Sequence, residues 1–256
     1  MQIKKLNWAG VLIKSEQTVI MIDPLGRTPI NQDKPFAARL GAAHEKFLDF
    51  TQLPTPTAIA ITHIHPDHFD PVSILEAFGE DIPLLIPIES LEIVKNTGLK
   101  NVIGVSLGEK YSFGEFNITA TYSEDGYGTP QVSWIVEGNG KKMIHSGDTL
   151  WHGKWWKIAR EFGKINVACF PINGAVLEIS GLPEQSIHHA CMTPEEAVEA
   201  ARILGVERLI PIHFETFHNS PFYIETPDAV QRLIQTAQER GVDVSILLPD
   251  QDLKLI

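Results

Sequence analysis

The segment from Ala58 to His68 constrains the fold more than any other part of the 256-residue sequence. Ala58-Ile59-Ala60-Ile61-Thr62 reads as a buried strand, and His63-Ile64-His65-Pro66-Asp67-His68 follows it at once. Asp70-Pro71 then opens a helix through Phe78, with Asp70 as N-cap and Pro71 at the first helical position. A strand, a turn and a helix in direct succession make an α/β unit whose turn carries four potential metal ligands. In extended chain alternate side chains share a face, so His63 and His65 point the same way. Asp67 and His68 lie around the bend toward the helix. Imidazoles crowded this closely repel one another on protonation and gain nothing without a cation. A catalytic metal site takes about three protein ligands per ion and leaves a position for water, so two ions can share such a turn.

The rest of the chain alternates in the same style. Short strands are expected at Gln2–Leu6, Val11–Ile13 and Val19–Ile22, the last stopping at Asp23-Pro24, where proline cannot continue a central strand. Leu25 to Pro56 is a long excursion with a short helix expected over Ala37–Phe50. Beyond the His-rich turn come a strand at Leu84–Ile86, a helix at Glu89–Thr97 closed by Gly98, and a strand at Val102–Val105. Two hairpins follow, Lys110–Thr121 about Gly114, and Val132–Glu137 with Lys142–His145 about Gly138-Asn139-Gly140. Gly147-Asp148-Thr149 precedes a helix over Trp155–Phe162 and a strand at Val167–Pro171. Thr193-Pro194-Glu195-Glu196 is a capping box for a helix running to Leu204. Leu209–Ile212 is a strand delivering His213, Thr226-Pro227 opens a helix that stops at Gly241, and Val244–Leu248 is the expected final strand. Strand-rich blocks that each end in helices predict two sheets packed between outer helices, with polar residues collected at strand ends.

Composition excludes several classes. Hydrophobic residues make up 43% and charged residues 21%, near the globular average, which argues against disorder and fibrous repeats. The formal charge of −11 carries no basic run, so nucleic acid and anionic membranes are poor partners, although a small phosphate ester could still bind at a metal. Two cysteines, Cys169 and Cys191, are too few for a disulfide framework and fit a reducing compartment. The apolar stretch Trp8 to Ile13 is too short for a signal-peptide core, and no run reaches the ~18 apolar residues of a membrane span. A cytoplasmic protein without membrane insertion is expected, folded as one domain over residues 1–256.

The His63-x-His65-x-Asp67-His68 pattern, Asp23 after an apolar strand, Gly147-Asp148-Thr149 and His213 after Leu209–Ile212 resemble the metallo-β-lactamase superfamily in order and spacing. The resemblance spans nearly the whole chain. It is nearest to the branch containing ascorbate-6-phosphate lactonases and N-acyl phosphatidylethanolamine phospholipase D-like proteins. The supporting stretches are Asn7–Ile13, His145–Trp151, Met192–Ala197 and Ile210–Phe217. The resemblance implies an αββα sandwich, a four-layer fold of the α/β class, with one or two divalent ions, zinc or manganese, at the strand ends between the sheets. His63 and His65 would bind the first ion, Asp67, His68 and His213 the second, and Asp148 would bridge them. Asp23 would orient a ligand imidazole. The implied activity is hydrolysis of an ester, lactone or phosphodiester of a small molecule, phosphorylated or not, by a metal-held hydroxide. The catalytic set would be Asp67, Asp148 and His189.

One part of the pattern is missing. The superfamily supplies a third imidazole to the first ion from a strand end between the two motifs, yet no histidine occurs from Phe69 through Ile144. Tyr122 aligns at that place, with Glu124 and Asp125 close by. A carboxylate from Glu124 or Asp125, a one-ion site and a weakly held ion are the alternatives this leaves open. Two rival functions also stand: an iron-dependent redox member of the fold, and a catalytically degenerate binding protein. Among the other histidines, His188 and His189 precede the capped helix, where either could hydrogen-bond a substrate or protonate a leaving group, and His218 could line the same pocket. His44, His145 and His152 read as surface or supporting residues, Cys169 reads as core, and Cys191 is unassigned. The assembly state, including a homo-oligomer, is open.

Overall fold

The computed structural model describes residues 1–26, 40–178 and 187–255. A first sheet runs in the order β15 (Asp252–Lys254), β1 (Gln2–Lys5), β2 (Val11–Lys14), β3 (Val19–Ile22), β4 (Ala58–Ala60), β5 (Leu84–Pro87) and β6 (Val102–Val105). Its half from β15 to β3 is antiparallel and its half from β3 to β6 parallel. The second sheet orders β13 (Arg208–Ile212), β11 (Val167–Pro171), β10 (Lys141–His145), β9 (Ser133–Gly138), β8 (Phe116–Thr121) and β7 (Lys110–Phe113), and it too joins a parallel half to an antiparallel one. A two-stranded ribbon pairs β12 (Val176–Leu177) with β14 (Tyr223–Ile224).

Both sheets are covered on both faces, which is why their parallel strands are continuously apolar rather than alternating. In β3, Ile20 and Ile22 face the second sheet and pack with Phe116, Trp134 and Val136, while Val19 and Met21 pack on the opposite side with Phe50, Ile74 and Val94. In β11, Val167 and Cys169 face inward and Ala168 and Phe170 outward. Helices α1 (Pro71–Phe78) and α2 (Leu91–Val94) cover the first sheet; α3 (Trp155–Phe162), α4 (Pro194–Leu204) and α5 (Ala229–Arg240) cover the second. The result is the four-layer αββα sandwich expected from the sequence.

Local signals set the helix starts. The Asp70 carboxylate accepts from Ser73 N ahead of Pro71, and Thr193 and Glu196 form both bonds of the capping box. Three expectations differ. Of the helix expected over Ala37–Phe50, residues 37–39 lie outside the described residues, and residues 41–49 are not helical. There the Asn7 amide accepts from Leu48 N (2.7 Å) and donates to Lys46 O (3.0 Å), bonds that a helix would have kept for itself. The helix expected over Glu89–Thr97 shortens to a 3-10 turn at Ile88–Ser90 and α2. The strand expected at Val244–Leu248 is reduced to one parallel bridge between Val244 and Leu209, and the last strand is β15, paired with β1.

Candidate metal centre

The parallel strands of both sheets end at one edge, and their following residues converge there. After β3, Asp23 turns out of the strand at φ 45° with its side chain fully buried. It accepts from Thr62 N (2.7 Å) and Thr62 Oγ1 (2.5 Å), fixing the segment that carries His63. The His65 carbonyl accepts from both His68 N and Phe69 N, which closes the turn and swings Asp67 and His68 inward. From the other sheet, β10 leads into Gly147 at φ 60°. A Cβ there would stand 2.6 Å from Thr62 Oγ1, so only glycine lets the Asp148 backbone come this close to the His-rich turn. His213 follows β13 at φ 57°, another left-handed residue held at the site.

Two ligand clusters result, one of Asp67, His68, Asp148 and His213, the other of His63, His65 and Asp125; within each, the candidate atoms lie within 4.8 Å of one another. Asp148 faces both: its Oδ1 is 2.9 Å from His68 Nε2, its Oδ2 2.9 Å from His213 Nε2 and 3.9 Å from His63 Nε2. Despite this proximity, His68 Nε2, His213 Nε2, Asp148 Oδ1 and Asp67 Oδ1 are buried with no hydrogen-bond partner. The opposite nitrogen of every imidazole is engaged. His63 Nδ1 meets Thr62 Oγ1 (3.0 Å), His65 Nε2 meets Thr129 Oγ1 (2.6 Å), His68 Nδ1 meets Asp23 Oδ2 (2.9 Å) and His213 Nδ1 meets Asn173 Oδ1 (3.1 Å). Because Thr62 Oγ1 donates to Asp23, it accepts from His63 Nδ1–H, which leaves His63 Nε2 a bare lone pair 2.9 Å from His65 Nδ1. Oriented imidazoles with inward lone pairs, set among buried carboxylates, are the arrangement a divalent cation satisfies. The residues present fit the metal that the sequence pattern implies.

The electrostatics agree. Burial opposes charge on His68, but the Asp148 and Asp67 carboxylates outweigh it and push that imidazole up to about 10. Against the same burial penalty, Asp148 raises His213 well above the usual range, and His213 and His68 in turn hold Asp148 well below it. His63 goes the other way, lowered by burial and by the neighbouring His68 and His65. Buried carboxylates that draw the neighbouring imidazoles this strongly toward positive charge mark the cluster as a place for a cation.

Other residues singled out in the sequence fall elsewhere. His189 is exposed, with its Nδ1 on Gly174 O, and is not among the clustered residues; His188 is exposed. His218 is exposed and accepts from Glu225 N, His44 is exposed, and His152 is buried against Trp155. His145 is fully buried, donating to Ala9 O and accepting from Gly147 N, so it shapes the turn before Asp148. Tyr122 is not among the clustered residues: it packs against the outer helices, with its ring under the Lys154 and Lys157 ammonium groups. Sequence reasoning passed over Asn173, Thr129 and the supporting role of Trp8, whose indole donates to Asp67 Oδ2 (3.0 Å) and whose ring lies 3.8 Å from that of His213. A cavity opens onto the two clusters, walled by Tyr127, Ala175, Leu177, Ala190, Cys191 and Tyr223.

Known proteins resemble this chain in sequence and in fold. The sequence profile of the beta-lactamase superfamily domain matches residues 18–214. A UPF0173 metal-dependent hydrolase from Rubrobacter xylanophilus is 30% identical over 210 residues, covering 76% of this chain and 77% of that protein. Among solved structures, an isothiocyanate hydrolase from Delia radicum gut bacteria superposes with a TM-score of 0.79 at 16% identity, over 100% of this chain and 99% of its own. A diiron β-hydroxylase from Streptomyces venezuelae superposes with a TM-score of 0.75 at 16% identity, over 99% of this chain and 54% of the other. Among the described residues no helix is long and apolar enough to cross a membrane.

Proposed function

Because this chain belongs to the beta-lactamase superfamily, we propose that it is a metal-dependent hydrolase that cleaves an ester, lactone or phosphodiester of a small molecule at the edge where its two sheets meet. His63 and His65 would hold one ion, Asp67, His68 and His213 a second, and Asp148 would serve both; zinc or manganese is the ion we expect. Bound there, a divalent ion would supply Lewis-acid polarisation of the scissile group and a water acidified from a pKa of 15.7 toward ~7. The chain's own residues do the rest. Asp23, Thr62, Thr129 and Asn173 each hold one imidazole in the orientation that turns its other nitrogen inward. Trp8 holds Asp67 through its indole N–H. The apolar wall formed by Ala175, Leu177 and Tyr223 excludes bulk water beside the clusters, which strengthens every charge interaction within. His189, whose Nδ1 is on Gly174 O, keeps Nε2 for protonating the leaving group.

The observation that supports this reading most is the set of buried, unpartnered atoms that face one another across Asp67, His68, Asp148 and His213. The test is elemental analysis of the purified protein, joined to a hydrolysis screen of lactones, esters and phosphodiesters before and after metal removal. Turnover that needs the metal and disappears in His65→Ala and Asp148→Ala is the expected result. A chain that binds no divalent metal, or that hydrolyses equally well after both substitutions, overturns the proposal.

A further inference from the structure

We propose that Asp125 is the ligand that completes the first metal site, in the place where the superfamily pattern has a third imidazole. The inference rests on the reading of this edge as a metal centre and names a part that reading lacks. Without Asp125 the first position has only His63, His65 and a share of Asp148, one ligand fewer than the Asp67, His68, His213 and Asp148 of the second. Three side chains from the segment after β8 compete for the role. Tyr122 is turned to the outer layer, with its hydroxyl on the Lys157 ammonium. Glu124 is absent from the clustered atoms and does not line the cavity over them, whereas Asp125 does both. Asp125 is in the cluster, with a side chain only 3% exposed.

The Asp125 carboxylate is also aimed. One oxygen, Oδ2, accepts from Tyr127 N (2.9 Å) and Thr129 N (2.8 Å), which locks the group in a local turn. The other, Oδ1, faces His65 Nδ1 at 4.0 Å, beyond hydrogen-bond reach, across the space into which the His63 Nε2 lone pair also points. The same turn carries Thr129, whose hydroxyl meets the far nitrogen of His65, so one loop supplies both a ligand and the brace of another. A β-bridge between Asp125 and Thr149 ties that loop to the residue after Asp148, so the two carboxylates arrive together. A consequence follows for the ions. With Asp125 in place, each position has two imidazoles, one carboxylate of its own and a share of Asp148. Replacing a third imidazole by a carboxylate makes the first site harder and richer in oxygen, which moves its preference from zinc toward manganese or iron(II).

The test counts metal ions in the folded holoprotein by elemental analysis, with circular dichroism to verify folding. Asp125→Asn is the main variant because its amide oxygen can still accept from the Tyr127 and Thr129 N–H groups and so preserves the turn. Wild type is expected to hold two ions per chain, Asp125→Asn and His63→Ala one each, and the double variant no fewer than one. Asp125→His is expected to hold two ions and to take a larger zinc share than wild type from an equimolar zinc and manganese mixture. The inference is overturned if Asp125→Asn keeps two ions, if it loses both while His63→Ala keeps one, if wild type holds a single ion, or if the zinc share of Asp125→His is unchanged. Failure of the functional reading looks different: wild type then binds no metal, and every variant matches it.

Discussion

Trp8 shows how much a single residue can be asked to do at this site. Its backbone is left-handed, φ 53°, and its carbonyl accepts from the buried Lys5 ammonium and from His213 N (3.3 Å), while its indole holds Asp67. Trp8→Phe keeps the ring against His213 but loses the hydrogen bond. Supporting partners of this kind are worth roughly 10–100-fold in metal affinity, so chelator competition should report a loss of that order; an unchanged affinity would mean that the indole N–H does not orient Asp67. Burial pushes Lys5 down to about 8, with the Glu45 carboxylate offsetting only part of the penalty. Between about 8 and its ordinary value, the unfolded chain keeps a proton that the folded chain has released, so this group makes stability rise with pH across that window, its penalty being fully present below it. Denaturant titrations from about pH 8 to 10 should therefore show a shallower pH slope in Lys5→Met than in wild type, and equal slopes would remove Lys5 from the account. His63, His65, Asp67 and His68 were legible because they sit together in the sequence. Asn173, Thr129 and Trp8 were not, because their roles exist only through contacts made across the fold, 59 positions from Trp8 to Asp67 and 64 from His65 to Thr129, relations no local pattern records.

At the scale of elements, chemistry local to a few residues was readable and pairing across the chain was not. The ends of α1, α3 and α4 agree with the sequence expectation because caps, prolines and glycines act on their own neighbours. The capping box makes a direct test: Thr193→Ala should cost about 1 kcal/mol in denaturant unfolding, the usual worth of a side-chain N-cap, while a change within error would show that Glu196 alone holds the helix start. The strand expected at Val244–Leu248 failed for the opposite reason. That run is apolar, but Leu248 is 62% exposed, and backbone bonding to the second sheet stops at Ser245, around the one bridge at Val244. Polar Asp252–Lys254 takes an edge position beside β1, where backbone bonds suffice and no apolar pattern is needed. Gly147 is the element-scale hinge of the site. Gly147→Ala forces a left-handed alanine and a Cβ against Thr62, so we expect lower metal content together with a lower melting temperature; full metal content in this variant would show that the turn has slack.

For the whole molecule, the decisive feature is that neither sheet owns the site. The first sheet contributes Asp23 and the His63–His68 turn, the second Asp125, Asp148 and His213, and the seam between them is the largest apolar core. A ligand that binds only the folded state stabilises it by mass action, about 2.7 kcal/mol at a concentration 100 times its dissociation constant. Chelation should therefore lower the melting temperature, and re-addition of metal should restore it in a concentration-dependent way; a melting curve indifferent to chelator would mean that the ions contribute nothing to folding. The fourfold layering was legible from the order of strands and helices, whereas which strand ends would meet depended on the parallel halves lying at one edge. That shared edge makes the centre a clasp on an otherwise greasy book. Were the two covers to part, no half-site would survive on either, so resistance to proteolysis and the ability to turn over substrate should vanish at the same point of any unfolding series.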